Sequence, residues 1–424
     1  MSVRRLVLAS SLGFAAALVA GCSSSSGGGD TAHDAGPSTQ DDAGGATPEG
    51  GGLAGGRTLE VEATTQASVS AATVAKLAGG AQGDLVTVGD DGSGPEVTVW
   101  SWSNGALQKS ASYPAAPSPL ALASVDVAGS GSPDVLLGVK TGSGGAVMVY
   151  PDSNGSLGNA TAEPVAGADF LATGDLDEDG HADVVALSAT SGIVTVLLGK
   201  GDGSLTPSTA WTFGAKTSSP PTSATLVDFD GDGHLDLVTQ VASTSSLLVL
   251  YGTGAGVFAS TGVIGVDGSA SIQAFAQTSA LGSSGGTTSA SAQAPAGPTL
   301  VSGKFAPAGE AGVIFSSSGD LYATSDVNGR YMPALSEGLG QSPLVSIAFA
   351  SGPTDVAAVQ TTGSSSVVNV LGETIYGPLE VLATAPLPSA FTGGVAGDFD
   401  GDGNQDLALT SASSIVILLN EPGA

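Results

Sequence analysis

The sequence repeats one acidic pattern, Asp-x-Asp-x-Asp-Gly-x-x-Asp, three times. The copies run from Asp175 to Asp183, from Asp228 to Asp236 and from Asp398 to Asp406. Calcium is a hard cation that takes about six to eight oxygen ligands, and carboxylates on alternate residues of a sharply turning loop supply them. The spacing therefore predicts three calcium-binding loops.

Loop positions are counted from the first aspartate of each copy. The predicted ligands are side-chain oxygens at positions 1, 3, 5 and 9 and the backbone carbonyl at position 7, while glycine at position 6 permits the turn. These ligands are Asp175, Asp177, Asp179, His181 and Asp183 in the first loop, Asp228, Asp230, Asp232, His234 and Asp236 in the second, and Asp398, Asp400, Asp402, Asn404 and Asp406 in the third.

Two other interpretations of this pattern are weaker. An EF-hand opens in the same way but requires glutamate at position 12 and flanking helices. Position 12 is Ala186, Thr239 and Leu409 in the three copies, and apolar, strand-like residues follow each loop. A solvated acidic turn is the other alternative, because Asp and Gly are ordinary turn formers. Three complete copies argue against it.

The loops belong to a longer repeat. Four weaker relatives begin at Lys76, Asp126, Lys304 and Ala348, which makes seven units about 50 residues apart with one longer interval of 76 residues. Each unit has the pattern strand, loop, strand, short turn, strand, and then a further strand. A period of this size indicates a solenoid or a propeller, and about four short strands per unit describe a propeller blade.

These residues resemble the FG-GAP or VCBS repeat family, the calcium-loop β-propellers of the integrin α-subunit head and of many secreted bacterial proteins. The resemblance covers about residues 57–420. It implies an all-β, seven-bladed β-propeller over residues 57–424 with three Ca²⁺ ions, one in each complete loop. The weaker units depart from the family pattern. Asp126 and Asp134 remain in one of them, but Ala128 replaces a ligand, which leaves a poor site at best.

The two ends of this region complement each other. The last unit has only two strands after its loop, at residues 407–410 and 415–419, and so lacks one strand. One spare strand with alternating polarity, at residues 57–64, precedes the first unit. Pairing this strand into the last blade would close the ring and remove an exposed edge.

The first 21 residues have the features of a bacterial lipoprotein signal peptide. Arg4 and Arg5 precede an apolar run that is too short for a membrane span and ends in Val-Ala-Gly before Cys22. This ending resembles the lipobox, which implies acylation of Cys22 and attachment to a membrane. A soluble secreted protein remains the alternative. Ser23 resembles the residue that directs lipoproteins to the outer membrane, so we expect a cell-envelope location there.

Two segments have low-complexity composition. Residues 22–56 are mostly Ser, Gly, Ala, Asp and Pro, and they contain too few large apolar residues to form a core, so we expect a flexible tether. Residues 267–298 account for the one long interval between units and are expected to form a loop inserted between blades. This loop is either a binding segment or a neutral insertion.

Charge and composition restrict the function further. The formal net charge is −29, and removal of the first 21 residues takes away two arginines and no acid, which leaves −31. Such a surface repels nucleic acid. The sequence lacks a cysteine nucleophile, a zinc pattern or a Gly-x-Ser-x-Gly elbow with a histidine partner. Trp100 and Trp102 lie on one face of a strand, where packing between blades is favoured over a sugar-stacking platform.

Two functions remain open on the sequence alone. The favoured one is a non-catalytic binding or scaffold module that engages a protein or glycan. The alternative is a calcium-dependent polysaccharide lyase or hydrolase on the same scaffold. The shortage of basic residues argues against a lyase, which needs a positive groove and a basic proton acceptor. A cleft in which Lys140, Lys200 or Arg330 meets paired carboxylates would favour the enzyme.

Overall fold

A computed structural model describes most of the chain after residue 56. The described residues are 57–77, 80, 82–142, 144–212, 221–241, 246–265, 270–274, 300–304, 311–317, 319–324, 334–340, 343–347, 355–362, 365–373 and 379–422. All of them belong to one compact unit, Glu49–Ala424. The predicted signal peptide, Cys22 and the tether lie outside the described residues, as does Arg330.

The described chain folds into antiparallel sheets that follow one another along the sequence. The first strand, β1, is Arg57–Gln66. Blade 1 contains β2 (Ala71–Ala75), β3 (Asp84–Asp90), β4 (Pro95–Ser103) and β5 (Ala106–Pro114). Blade 2 contains β6 (Pro119–Val125), β7 (Asp134–Thr141), β8 (Gly144–Tyr150) and β11 (Thr161–Val165), with a small hairpin of β9 (Asp152–Ser153) and β10 (Ser156–Leu157) before its last strand. Blade 3 contains β12 (Phe170–Gly174), β13 (Asp183–Leu187), β14 (Ile193–Gly199) and β15 (Leu205–Thr212).

The second half of the chain continues the series. Blade 4 contains β16 (Pro221–Val227), β17 (Asp236–Val241), β18 (Ser246–Gly252), β19 (Phe258–Gly265) and a fifth strand, β20 (Ala270–Ala274). Blade 5 contains β21 (Leu300–Lys304), β22 (Ala311–Ser317), β23 (Gly319–Thr324) and β24 (Ala334–Gly340). Blade 6 contains β25 (Leu344–Ile347), β26 (Asp355–Thr362), β27 (Ser365–Glu373) and β28 (Leu379–Leu387). Blade 7 contains β29 (Gly393–Gly397), β30 (Asp406–Thr410) and β31 (Ser414–Pro422) together with β1.

Blade 7 is assembled from both ends of the described chain. Its strand order is β1-β31-β30-β29, and β1 pairs antiparallel with β31 from Arg57 opposite Pro422 to Gln66 opposite Ser414. The first strand of each blade contacts the first strand of the next, and β29 contacts β2 in the same way. The described strands thus form a seven-bladed β-propeller whose first and last blades are neighbours.

The apolar core runs around the ring between the blades. One buried cluster spans blades 1, 2 and 3, and others lie between blades 3 and 4, 4 and 5, 5 and 6, 6 and 7, and 7 and 1. Inner strands such as β13 are buried along their whole length, because neighbouring blades cover both of their faces. In outer strands such as β5, many side chains are exposed to solvent, and they alternate with partly buried ones toward the end of the strand. Small aliphatic side chains dominate this core, as the low aromatic content predicts.

Part of the expected insertion adds a fifth strand to the sheet of blade 4. The strand β20 lies within the segment expected to be an inserted loop, and it pairs antiparallel with β19 from Ala274 opposite Ser260 to Ala270 opposite Ile264. The free edge of an outer strand offers unpaired backbone groups, which explains why adjacent chain adds to the sheet there.

Within the described ranges, no helix has the length and apolar character that a membrane span requires.

Candidate metal centres

The three acidic loops each connect the first and second strands of a blade, in blades 3, 4 and 7. Position 1 follows directly on the first strand, and position 9 is the first residue of the second strand, at Asp183, Asp236 and Asp406. Equivalent connections in a propeller lie on the same face of the ring, because every first strand runs in the same direction. The three loops therefore share one face.

Glycine at position 6 makes the turn possible, as the sequence predicts. Gly180, Gly233 and Gly403 have φ values of +88°, +95° and +88°. A side chain with a Cβ atom is disfavoured in this left-handed region, whereas glycine enters it freely.

In each loop the fold brings three of the four predicted carboxylates together, those at positions 1, 3 and 9. One oxygen from each member of a set lies within 4.8 Å of the others. The sets are Asp175, Asp177 and Asp183 in blade 3, Asp228, Asp230 and Asp236 in blade 4, and Asp398, Asp400 and Asp406 in blade 7. Among the residues that the structure describes, no further group of three such side chains meets this criterion.

The carboxylate at position 5 is placed differently. Asp179, Asp232 and Asp402 are exposed, and the Oδ1 atom of each accepts a hydrogen bond from the backbone N–H at position 7, at 2.9, 2.9 and 2.7 Å. They are not members of the three-carboxylate sets. Their assignment as ligands therefore stays a prediction, as does that of the backbone carbonyls at position 7.

Hydrogen bonds from the backbone hold the loop in shape. The carboxylate at position 1 accepts from the glycine N–H at position 6, at 3.0 Å for Asp175, 3.2 Å for Asp228 and 3.2 Å for Asp398. The carboxylate at position 3 accepts from the N–H at position 5 in all three loops. Each loop is thus curled around its own aspartates.

The aspartate at position 9 has a second role that the sequence did not reveal. Its Oδ2 atom accepts the N–H at position 2, at 2.8 Å in all three loops. Its Oδ1 atom accepts a backbone N–H at the end of the third strand or within it, from Gly199 at 2.8 Å, Gly252 at 2.7 Å and Asn420 at 2.9 Å. This side chain therefore clamps the loop to the third strand of its blade.

Burial of the position 9 aspartates strongly affects their acidity. They are 0%, 0% and 1% exposed. Removal from water raises the pKa of Asp183 to about 6, of Asp236 to about 7 and of Asp406 to about 6, although the hydrogen bonds from backbone N–H groups oppose the shift. A bound cation would favour the ionised form of each carboxylate.

Blade 2 has the clamp without the three-carboxylate cluster. Asp134 accepts hydrogen bonds from Val127 and Ala128 through Oδ2, both at 2.9 Å, and from Asp152 through Oδ1 at 2.8 Å. Asp126 at position 1 accepts from Gly131 N–H at 2.7 Å. Position 3 is Ala128, so the loop keeps its backbone hydrogen bonds while it lacks a ligand. This blade is therefore a natural control for the three candidate metal sites.

The blade 3 cluster shows features expected of a cation site. Asp175 is 8% exposed, and its Oδ1 atom has no hydrogen-bond partner among the described residues. Burial, followed by the nearby charge of Asp179 and then that of Asp175, raises the pKa of Asp177. Oxygens that bind one calcium ion at about 2.3–2.6 Å lie within about 5 Å of one another, which the cluster satisfies. The residues present therefore fit a hard cation.

The two loop histidines differ in their surroundings. His181 is exposed. His234 is half-buried, and its Nδ1 atom lies 2.5 Å from Oε1 of Glu178, in the loop of the preceding blade. This hydrogen bond is the main cause of the raised pKa of His234. The contact between two acidic loops was not visible in the sequence, because 56 residues separate the partners.

The tryptophans belong to the packing between blades, as the favoured interpretation predicts. Trp100 is 9% exposed, lies in the cluster between blades 7 and 1 and donates a hydrogen bond from Nε1 to Thr87 Oγ1 at 2.9 Å. Trp102 packs against the same cluster. Trp211 packs against the cluster between blades 3 and 4.

Comparison with known proteins agrees with this architecture. Residues 175–239, which contain the loops of blades 3 and 4, match the family described as the FG-GAP-like repeat. No curated protein sequence is significantly similar to the chain.

Solved structures also align with the chain, at low sequence identity. A protein from Lactobacillus plantarum aligns with a TM-score of 0.48 and 13% identity, over 79% of this chain and 93% of that one. A candidate 6-phosphogluconolactonase from Bacteroides uniformis aligns with a TM-score of 0.47 and 15% identity, over 75% of this chain and 85% of that one. The Dos1 propeller aligns with a TM-score of 0.45 and 11% identity, over 85% of this chain and 95% of that one. On its own sheet order and its repeat match, this chain is a seven-bladed β-propeller with FG-GAP-like repeats.

Proposed function

We propose that this protein is a calcium-stabilised, non-catalytic binding or scaffold module, held by acylated Cys22 at the outer membrane of a bacterial cell envelope, where it engages a protein or glycan. The observation that carries the proposal is the convergence of three aspartates in each of three loops on one face of the ring. The propeller is the framework, and the ions fix the loops of the face that meets the partner.

The donor chemistry supports calcium. The clusters contain only carboxylate oxygens, which hard cations prefer, and no cysteine or histidine side chain belongs to them. Mg²⁺ requires near-ideal octahedral geometry, whereas Ca²⁺ accepts the irregular oxygen sets that flexible loops provide. Three carboxylates crowded into one short turn repel one another, so a divalent cation should favour the closed loop over an open one.

Surface chemistry supports a partner other than a nucleic acid. The net charge of −31 that remains after removal of the first 21 residues would become −25 with three divalent ions bound, which still repels polyanions. Lys140 and Lys200, two of the candidate basic residues for a lyase, are exposed, and Lys200 lies near the acidic side chain of Asp202. The attachment to a membrane is supported by the sequence alone, through the lipobox-like residues before Cys22.

The metal part of the proposal is tested by thermal unfolding of the detergent-solubilised full-length protein in about 1 mM calcium and in chelator. A ligand that binds only the folded state stabilises it by RT ln(1 + [L]/Kd), so a site with Kd of ~0.1 mM contributes about 1.4 kcal/mol. Asp228→Ala should lose this increment for one site. Asp126→Ala is the matched control, because Asp126 has the same loop position and accepts the same glycine N–H but belongs to no cluster. Equal melting temperatures with and without calcium would refute the metal assignment.

The binding part is tested by affinity capture from envelope extract on the immobilised protein, with calcium and with chelator. We expect a protein or glycan that is retained in calcium and is lost in chelator or on the Asp228→Ala protein, while the Asp126→Ala protein still retains it. The same preparation should not cleave acidic polysaccharides. Calcium-dependent cleavage would overturn the non-catalytic assignment in favour of a lyase or hydrolase.

A further inference from the structure

Glu178 occupies a loop position at which blades 2, 4 and 7 have glycine. It stands at position 4 of the blade 3 loop with φ of +60°, whereas position 4 is Gly129 in blade 2, Gly231 in blade 4 and Gly401 in blade 7, with φ values of +63°, +78° and +84°. The left-handed region disfavours any residue with a Cβ atom. The glutamate therefore holds a backbone conformation for which glycine is better suited.

The side chain of Glu178 crosses from blade 3 to blade 4. It is 3% exposed, and its Oε1 atom lies 2.5 Å from Nδ1 of His234, at position 7 of the blade 4 loop. Its Oε2 atom is buried and has no hydrogen-bond partner among the described residues. Removing a carboxylate from water is costly unless it is paired. The contact with His234 is therefore the main described compensation for the burial of Glu178.

A turn of blade 4 encloses this pair. A Cβ atom on Gly254 would lie 2.5 Å from Nδ1 of His234 and 2.6 Å from Oε1 of Glu178, so a larger residue there would have to displace the pair. Two residues further on, the N–H of Gly256 donates to the carbonyl of Leu176 at 2.8 Å, which ties the same turn to position 2 of the blade 3 loop. The two acidic loops and this turn thus form one packed junction.

The blade 7 loop has a different neighbour. The carbonyl of Asp398 accepts the N–H of Gly83 at 2.6 Å, and the carbonyl of Asp400 accepts Nε2 of Gln82 at 2.7 Å. Both donors belong to the loop of blade 1, which contains no three-carboxylate set among its described residues. The blade 7 cluster therefore contacts a loop without a metal site, whereas the clusters of blades 3 and 4 are joined to each other.

We propose that Glu178 couples the metal sites of blades 3 and 4, so that a cation bound in one loop raises the affinity of the other, while the blade 7 site binds independently. This inference rests on the metal binding proposed above. An ion in the blade 4 loop fixes the backbone at His234, and His234 fixes Glu178, the neighbour in sequence of the ligand Asp177. The second ion then enters a loop that is already ordered. The coupling is reciprocal by thermodynamic linkage.

Calcium titration calorimetry on the full-length protein in detergent tests the coupling. All proteins carry Asp398→Ala, which removes the blade 7 site. Adding Asp228→Ala leaves only the blade 3 site, and adding Asp175→Ala instead leaves only the blade 4 site. If the sites are coupled, the overall affinity for two ions exceeds the product of the two single-site affinities by about fivefold or more, the range typical of allosteric coupling.

Substitution of Glu178 identifies the source of the coupling. Glu178→Gly gives the blade 3 loop the residue found in blades 4 and 7, so the loop should still fold and bind calcium. The excess, which is the two-ion affinity divided by the product of the single-site affinities, should then fall to within about twofold of one. Glu178→Gln keeps an oxygen acceptor for His234 and should retain part of the excess. This second variant keeps the test decisive if Glu178→Gly does not fold. Gln82→Ala removes the side-chain hydrogen bond between the loops of blades 1 and 7 and should leave the excess unchanged.

The possible results separate the two proposals. Two ions that bind with no excess overturn the coupling but leave calcium binding intact. An excess that persists in Glu178→Gly also overturns it, because the coupling then passes through other residues. No calcium uptake at either loop refutes the metal assignment itself and the coupling with it.

Discussion

The clamp formed by the position 9 aspartate should stabilise a blade whether or not a metal is bound, and blade 2 allows this to be measured. Asp134 is fully buried and accepts the N–H groups of Val127, Ala128 and Asp152. Asp134→Ala removes this acceptor, although the N–H of Val127 also donates to the carbonyl of Val125. Because the blade 2 loop lacks a three-carboxylate set, we expect the loss of stability to be the same in calcium and in chelator.

The expected loss of stability follows from the buried backbone donor that loses its acceptor. The N–H of Val127 keeps a second acceptor, the carbonyl of Val125 at 3.1 Å, so the buried N–H of Asp152 is the donor to count. A buried donor that loses its acceptor costs about 1–3 kcal/mol. Burial raises the pKa of Asp134, which means that the folded protein holds its charge at a cost. Removing the carboxylate relieves that cost, so we expect a value in the lower half of the range. At about 2 °C per kcal/mol, the melting temperature should fall by about 2–4 °C.

The assay is thermal unfolding of wild type, Asp134→Ala and Asp236→Ala, each in calcium and in chelator. Asp236→Ala removes the same kind of clamp together with a proposed metal ligand, so its loss should be larger in calcium than in chelator. A melting temperature of Asp134→Ala within about 1 °C of wild type would refute the clamp. A calcium-dependent loss in Asp134→Ala would show instead that blade 2 holds a metal.

Three further predictions concern pH, ring closure and anchoring. Burial raises the pKa of Asp236 from 3.8 to about 7, so the metal-free folded state binds more protons than the unfolded state above about pH 4. Stability measured by urea unfolding in chelator should therefore be highest at low pH within this window and fall as pH rises through about 7, and a flat profile would contradict it. Deletion of residues 57–66 removes the partner of β31 and exposes its edge, so the protein should aggregate or melt at lower temperature, and unchanged melting would exclude a role in closure. Cys22→Ser should move the protein from the membrane to the soluble fraction, whereas unchanged detergent partitioning would contradict lipid anchoring.

Local chemistry in the sequence was sufficient to predict the blade pattern. Aspartate and glycine at fixed spacing define a turn whatever surrounds it, and the apolar runs after each loop have the length and alternation of strands. The predicted turns at Gly180, Gly233 and Gly403 have the positive φ values that this chemistry requires. The repeat also located the weaker blades, because their strand patterns persist where the ligands are missing.

The sequence by itself thus determined the fold class, the number of blades and the aspartate-rich loops, since each follows from patterns within about ten residues that recur along the chain. Only the tertiary structure decided which carboxylates converge. Position 9 is the first residue of the second strand, so its distance from positions 1 and 3 depends on how that strand pairs with the first. It also decided that Asp183 clamps Gly199 and that Glu178 meets His234. Those partners are 16 and 56 residues apart, and pairing at such distances depends on how strands and blades pack, which local spacing does not encode.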